Sequence, residues 1–336
     1  MLSVDLQSDA SSRLLTSRGM NNSTVKTPTP LILGFGEALF DVVDGDAILG
    51  GAPCNFAVHA QQLLSAGTGA NAGGLAIPVS CVGDDALGRR LRSEVALRGE
   101  NVDHLQIDAS LPTGTVEVEL NAEGHPTYDI CQGVAWDSIA LTPELAELAG
   151  RADAICYGTL VQRTAGSRGT LRSLLGAAKP QAARVCDLNL RAPHFTLEVV
   201  EESLRAATVL KLNDDELAIV AKMFELVAPA GDLPATIEAL AKRFPQLTTI
   251  AVTEGAAGAR LWHGGKHYSA EPPRCERVAG ADSIGAGDCW CAALVIGLLR
   301  GLPPQQILGW ANRVASFVAS QRGATPTLPG ESTSPV

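Results

Sequence analysis

Short apolar runs bounded by Gly or Asp alternate along this chain with stretches of helical period, and that rhythm restricts the fold more than any other feature. A run of five or six apolar residues is too short for a buried helix and too continuous for a strand with one wet face. It suits a parallel strand covered on both sides by helices. The spacing predicts strands near 31–36, 77–82, 153–158, 184–188, 207–212 and 248–253. Helices are predicted near 53–65, 85–98, 166–178, 197–206, 214–224 and 234–243, and two long ones near 286–300 and 304–321 close the chain. The fold class is therefore α/β, a doubly wound Rossmann-like parallel sheet covered by helices. Residues 113–131 break the rhythm: Gly-Thr-Val-Glu-Val-Glu-Leu alternates with period two, and a turn at Asn121 to Gly124 leads into a second extended run. We read 113–131 as a small β-sheet lid inserted in a main domain spanning 31–326. Residues 1–30, rich in Ser, Thr, Asn and Asp, read as a disordered leader, and 327–336 as a flexible tail.

Charge narrows the partners. With 26 Lys+Arg against 36 Asp+Glu the net charge is −10, and no basic run interrupts it, which argues against nucleic acid. An anionic ligand would need a site built from backbone amides. No segment approaches the ~20 apolar residues of a membrane span. The eight cysteines are scattered through apolar stretches without a Cys-x-x-Cys pair, as expected of buried thiols in a reducing cytoplasm. None of the six histidines has a partner at metal-ligand spacing, so we assign no zinc.

The strongest chemical signal is Gly280-Ala281-Asp282-Ser283-Ile284-Gly285-Ala286-Gly287-Asp288, followed at once by an apolar helix. Small residues let the amides of Gly285, Ala286 and Gly287 converge at a helix N-terminus, where unpaired donors and the macrodipole favour an anion. Asp288, in the first turn, can accept a proton from an attacking hydroxyl beside a transferring phosphoryl group; alone, it is equally a helix-start acid. Gly36-Glu37-Ala38-Leu39-Phe40-Asp41 and Gly50-Gly51-Ala52-Pro53-Cys54-Asn55 place a carboxylate and an amide where both can bind vicinal hydroxyls, with glycines that let the backbone come close. Pro53 is expected at the first helical position. Asp187-Leu188-Asn189-Leu190-Arg191 leaves a strand end, where open α/β sheets hold ligands. Lys211-Leu212-Asn213-Asp214-Asp215-Glu216 follows another strand, and its Asn and Glu three apart are also a capping-box pattern.

These segments together resemble the ribokinase-like (PfkB) carbohydrate kinases, over a stretch from Leu31 to about Pro326. Gly-Ala-Gly-Asp after Asp-Ser-Ile is similar to that family's Asp-Thr-x-Gly-Ala-Gly-Asp signature, with Ser283 in place of the usual Thr. The Asp-x-Asn-x-Arg run resembles its fructokinases and ketodeoxygluconate kinases. The resemblance implies ATP and Mg²⁺ as cofactors, with a small sugar as substrate. By that resemblance Asp288, Gly285, Ala286, Gly287 and Arg191 are catalytic. Asp41, Gly50, Gly51, Asn55, Asp187 and Asn189 bind sugar, and Lys211, Asn213, Thr253, Gly255, Gly258 and Asn312 bind nucleotide. Glu216 acts on Mg²⁺ through water, while Asp282, Ile284 and Gly323 hold an activating K⁺. Glu254 stands where the family usually has a small or apolar residue. Only eight residues separate Asp41 from Gly50, so we expect no lid hairpin there and a lid made mainly from 113–131. That leaves a lid-built homodimer open.

The expectation is thus an ATP-dependent kinase acting on a primary sugar hydroxyl, with fructose first and ketodeoxygluconate or ribose as alternatives. A non-catalytic sugar-sensing relative is a further alternative, against which the intact Asp288 and its glycine cradle argue. A dinucleotide oxidoreductase fits poorly, since no Gly-x-Gly-x-x-Gly opens a helix after the first strand.

Overall fold

The computed structural model describes residues 29–43, 45–66, 73–120, 126–330 and 333–335. Nearly all of the expected leader and the whole turn at Asn121 to Gly124 lie outside the described residues. A nine-stranded sheet forms the body. Its parallel strands are β1 (Leu31–Phe35), β4 (Leu75–Gly83), β5 (Leu105–Asp108), β8 (Ala154–Tyr157), β9 (Ala183–Asp187), β10 (Val209–Asn213) and β11 (Thr249–Thr253). An antiparallel pair, β12 (Ala259–His263) and β13 (Lys266–Ala270), continues one edge, giving the order β13-β12-β11-β10-β9-β8-β1-β4-β5.

Period-two alternation divides each strand between two cores. Leu33 and Phe35, Ile155, Leu210 and Leu212, and Ile250 and Val252 point to one face. There they meet α3 (Pro143–Arg151), α4 (Ala165–Ala177), α5 (Leu197–Ala206), α6 (Asp214–Met223) and α7 (Leu233–Arg243). Their neighbours Ile32, Ala154, Cys156, Val209 and Ala251 point the other way, to α1 (Ala52–Ser65), α8 (Ala286–Leu299) and α9 (Pro304–Val318). Helix α8 is apolar all round because it is enclosed all round: every residue from Cys289 to Gly297 is buried, between the sheet, α1 and α9. The strand order reverses at β1, which lies between β8 and β4, so the crevice at its C-terminal end is where this architecture holds a ligand.

The second sheet is larger than expected. Strands β2 (Leu39–Val43), β3 (Asp46–Gly50), β6 (Gly114–Leu120) and β7 (Pro126–Ile130) pair in the order β3-β2-β6-β7. The segment between Asp41 and Gly50 does form a hairpin, contrary to the sequence expectation, because two residues suffice to join Val43 to its partner Asp46. The residues 113–131 therefore supply only half of this sheet, and β2 pairs in parallel with β6, bringing Asp41 opposite Val116. Its root is fixed to the body. The Arg163 guanidinium stacks 3.9 Å over the Trp136 ring, forms a buried ion pair with Asp137 at 2.8 Å and donates to the Cys131 carbonyl at 2.6 Å. Helix α2 (Ala86–Leu97) packs beneath the hairpin, capped by Asp85, whose side chain accepts from the Gly88 amide.

The far end of the chain also departs from expectation. Leu328 is buried and its amide donates to Gln62 of α1, while Gln306 and Arg313 of α9 donate to the carbonyls of Pro335 and Ser334. Residues 327–330 and 333–335 thus lie against the body instead of forming a loose tail. Seven of the eight free cysteines are buried or half-buried, and Cys275 is exposed. No helix among the described residues is long and apolar enough to cross a membrane.

If α8 is the enclosed centre of one core, truncating it will be costly in a way that surface changes are not. Leu294→Ala is expected to lower unfolding free energy by about 2–5 kcal/mol, read as a lower urea midpoint with an unchanged slope.

Candidate active site

Helix α8 begins at Gly285, whose backbone is left-handed (φ 76°, ψ −10°). A side chain there would also collide with the Ala324 carbonyl, so both conformation and space demand glycine. The Ala286 amide donates to the Ser283 carbonyl at 3.3 Å, which leaves the amides of Gly287 and Asp288 as the first-turn donors available to an anion. Lys211 reaches the same point from β10: a methyl group added to Gly287 would lie 3.1 Å from its Nζ. That ammonium is buried and donates to both oxygens of Asp187, at 2.9 and 3.2 Å. Burial would lower its pKa, but the carboxylates of Asp187 and Glu216 outweigh burial and hold it above its ordinary value. Lys211 is a fixed positive charge beside the cradle.

Asp288 faces inward from the first turn of α8. Its Oδ2 accepts from Asn55 Nδ2 at 2.9 Å, so a residue expected to bind sugar also orients the candidate base. Burial raises the Asp288 pKa, as does Asp41, against the lowering influence of Lys211, Asn55 and Arg191. Asn55 is aimed there by the start of α1: Gly51 (φ 101°) has its carbonyl accepting the Asn55 amide at 2.9 Å, and a side chain on Gly51 would collide with the Glu37 carbonyl. Pro53 takes the second helical position, not the first as expected. Gly50 stands against Asp41, whose carboxylate a side chain at 50 would strike. Burial lifts Asp41 to about 6, with Arg191 opposing.

The structure adds a residue to which the sequence reading gave no role. Glu37, two residues past the end of β1, is buried and its Oε2 has no hydrogen-bond partner among the described residues. Burial raises it to about 7, against the amides of Glu37 and Ala52 and the charge of Arg191, with Asp288 adding to the rise. An acid between Gly36 and an apolar strand was the available signal. Arg191 is exposed, and among the described residues its side chain makes one hydrogen bond, to the Leu190 carbonyl at 3.1 Å. It acts electrostatically on Glu37, Asp41, Asp187 and Asp288 alike.

Several expected ligands are occupied by structural tasks. Asp187 is paired with Lys211, which leaves Asn189, in a left-handed conformation (φ 44°), as the more open polar group on that strand end. Glu216 accepts from the amides of Asn213 and Leu190 at 2.9 and 2.7 Å, and Asn213 Oδ1 accepts from the Glu216 amide, a capping box that also pins the 188–191 turn. Asn312 accepts from Trp290 Nε1 and donates to the Ala270 carbonyl, so its side chain ties α8, α9 and β13 together instead of reaching out to a base. Thr253 ends β11, and Gly255 (φ 54°) and Gly258 (φ 105°) shape the turn into β12, with Glu254 bound to Arg260 at 2.6 Å. Asp282 accepts from the amides of Ile284 and Gly323, each at 3.0 Å, which brings together the three positions expected around K⁺ with both carboxylate oxygens already in use.

Residues 28–330 match the profile of the pfkB family carbohydrate kinases. A fructokinase from Klebsiella pneumoniae is 29% identical over 314 residues, covering 88% of this chain and 94% of that protein. Among solved structures, a sugar kinase from Pyrococcus horikoshii superposes with a TM-score of 0.70 at 25% identity, covering 88% of this chain and 93% of its own. A fructokinase from Xylella fastidiosa, solved with bound ATP, shares the fold at TM-score 0.75 and 21% identity, covering 90% and 96%.

Glu37 has a measurable signature. Between its unfolded value of 4.5 and its folded value of about 7, the fold holds a proton that the unfolded chain has released, so stability falls as pH rises through that window. Glu37→Gln is expected to remove this loss, making the variant more stable than the parent by about 3 kcal/mol at pH 8, with the gap closing toward pH 5 in urea titrations.

Proposed function

The chain belongs to the pfkB family of carbohydrate kinases, and on that premise we propose that it transfers the γ-phosphoryl group of ATP to a primary hydroxyl of fructose. The observation that carries this reading is Asp288: a half-buried carboxylate in the first turn of α8, held by Asn55 at 2.9 Å beside unpaired amides. Asp288 takes the hydroxyl proton as the sugar oxygen attacks the γ-phosphorus in line, a new P–O bond forms, and the bond to the departing ADP breaks. The amides of Gly287 and Asp288, with the Lys211 ammonium, face the charge that gathers on the phosphoryl oxygens. Asp41, Asn55 and Asn189 are the groups offered to sugar hydroxyls. The hairpin β2–β3 carries Asp41 on the second sheet, so closing that sheet over the crevice brings a sugar ligand with it and excludes water.

Among the described residues no three acidic, His or Cys side chains gather as a metal site, which fits a magnesium ion that arrives on the phosphates and keeps most of its water. Bound there, it would neutralise phosphate charge. Glu216 would hold it through water, since both carboxylate oxygens accept amides. A monovalent cation near Asp282, the Ile284 carbonyl and Gly323 would draw mainly on carbonyl oxygens. A sugar acid such as ketodeoxygluconate is the second reading, favoured by the free donors of Arg191, whose fork suits a carboxylate. The thiols, most of them buried and none paired, suit a cytoplasmic enzyme.

A panel of fructose, ribose and ketodeoxygluconate with ATP, read by ADP release, tests the assignment. Fructose is expected to give the highest kcat/KM, and a preference for ketodeoxygluconate would move the assignment to the second reading. Asp288→Asn, which keeps size and removes basicity, is expected to lower kcat at least about 10²-fold with little change in ATP binding. For the parent enzyme kcat/KM for sugar is expected to fall as pH drops through about 6, where Asp41 loses its charge.

A further inference from the structure

A cavity of about 750 Å³ lies outside the crevice at the strand ends, between β3, α1, α2 and the segment 322–327. None of Asp41, Asn55 and Asp288 lines it. Its volume is that of a small-molecule site. Arg90, Arg98 and Arg322 line it against the single carboxylate of Glu94, a local excess of positive charge in a chain whose net charge is −10. Arg90 is held by Glu94 at 2.8 Å and by the Ala47 carbonyl, and Arg98 by Thr325 Oγ1 at 3.0 Å and the Glu94 carbonyl at 2.7 Å. Arg322 is exposed and has no hydrogen-bond or ion-pair partner among the described residues. Opposite the charges the wall is apolar: Ile48 and Leu97 are 42% and 86% exposed.

We propose that this cavity is a second ligand site, for a small phosphorylated metabolite with a planar or apolar body. A phosphomonoester dianion balances the two charges left over by Glu94, where a carboxylate would balance one. Arg322 presents a planar fork suited to its oxygens, Arg98, whose Nε and Nη1 are held by Thr325 and Glu94, adds positive charge, the Thr325 hydroxyl can donate, and the body of the ligand covers Ile48 and Leu97. The walls connect this site to the crevice. Leu49 belongs to the hairpin that carries Asp41, while Gly323 donates to Asp282 and the Ala324 carbonyl, which bonds His59 at 2.9 Å, is the atom against which Gly285 is seated. A ligand that spans β3 and 322–325 therefore bears on both the second sheet and the first turn of α8.

The test is isothermal titration of the full chain with AMP, and separately with phosphoenolpyruvate, while the crevice is filled by fructose and a non-hydrolysable ATP analogue. At least one probe is expected to bind saturably under those conditions, and more tightly than inorganic phosphate. Leu97→Glu places a like charge on an exposed position and is expected to weaken that binding about tenfold or more with basal turnover unchanged; Arg322→Glu is expected to weaken it at least as much. Slower hydrogen exchange in 46–50 and 320–327 on adding the probe is the expected sign of the coupling. The proposal is overturned if neither probe binds with the crevice filled, if the ATP analogue displaces the probe, or if both variants bind it as the parent does.

Discussion

The contact on which the site depends is the seating of Gly285 against the Ala324 carbonyl. A helix as uniformly apolar as α8 has no polar stripe along its length, and beyond the Trp290–Asn312 hydrogen bond that ties it to α9 its packing between α1, α9 and the sheet is non-directional. The Gly285–Ala324 approach fixes where the first turn begins. It does so only because no side chain stands between them, and because Ala324 is itself held by His59 from α1 while the neighbouring Gly323 is held by Asp282. The donors of Gly287 and Asp288 thus inherit their position from three segments far apart in sequence, and a buried neutral imidazole is part of the support: burial holds His59 down at about 4.

Around that fixed point the chain concentrates negative charge, which a phosphoryl-transfer site must offset. Glu37, Asp41, Asp187 and Asp288 share two cations, of which Lys211 is buried and committed to Asp187 while Arg191 is exposed and has donors to spare. Burial raises both Glu37 and Asp41, so the crevice keeps some protons that bulk water would remove. An approaching anion then meets less net repulsion than a count of carboxylates suggests. The same arrangement explains why so much of the expected ligand set serves structure. Asp187 holds Lys211 in place, and Glu216 holds the turn that presents Asn189 and Arg191.

Much of this was legible in the sequence where a feature had a local physical cause. The parallel strands announce themselves as continuous apolar runs because both their faces are covered, and the Gly285 to Asp288 cradle because its glycines have a steric reason. The hairpin β2–β3 was hidden because its residues carry site chemistry and a two-residue turn, which made the span look too short. Strands β12 and β13 carry no continuous apolar run, and only Gly264 and Gly265, both at positive φ, mark their turn. The role of Asn312 could not be read from its surroundings in sequence, since its partners Trp290 and Ala270 come from other elements. Glu37 is similar: that its Oε2 finds no partner among the described residues is a property of the space around it, not of the residues beside it.

The bond from His59 to Ala324 spans 265 residues. During synthesis the first strands, α1 and most of the sheet emerge long before the segment that seats the first turn of α8. At ribosomal rates of about 5–20 residues per second, the interval between His59 and Ala324 is on the order of 13–53 seconds. Through that interval a growing chain can bury one core while its cradle has no fixed origin. Catalytic competence therefore waits on the synthesis of Ala324, and a chain halted before it would be folded in part yet chemically silent.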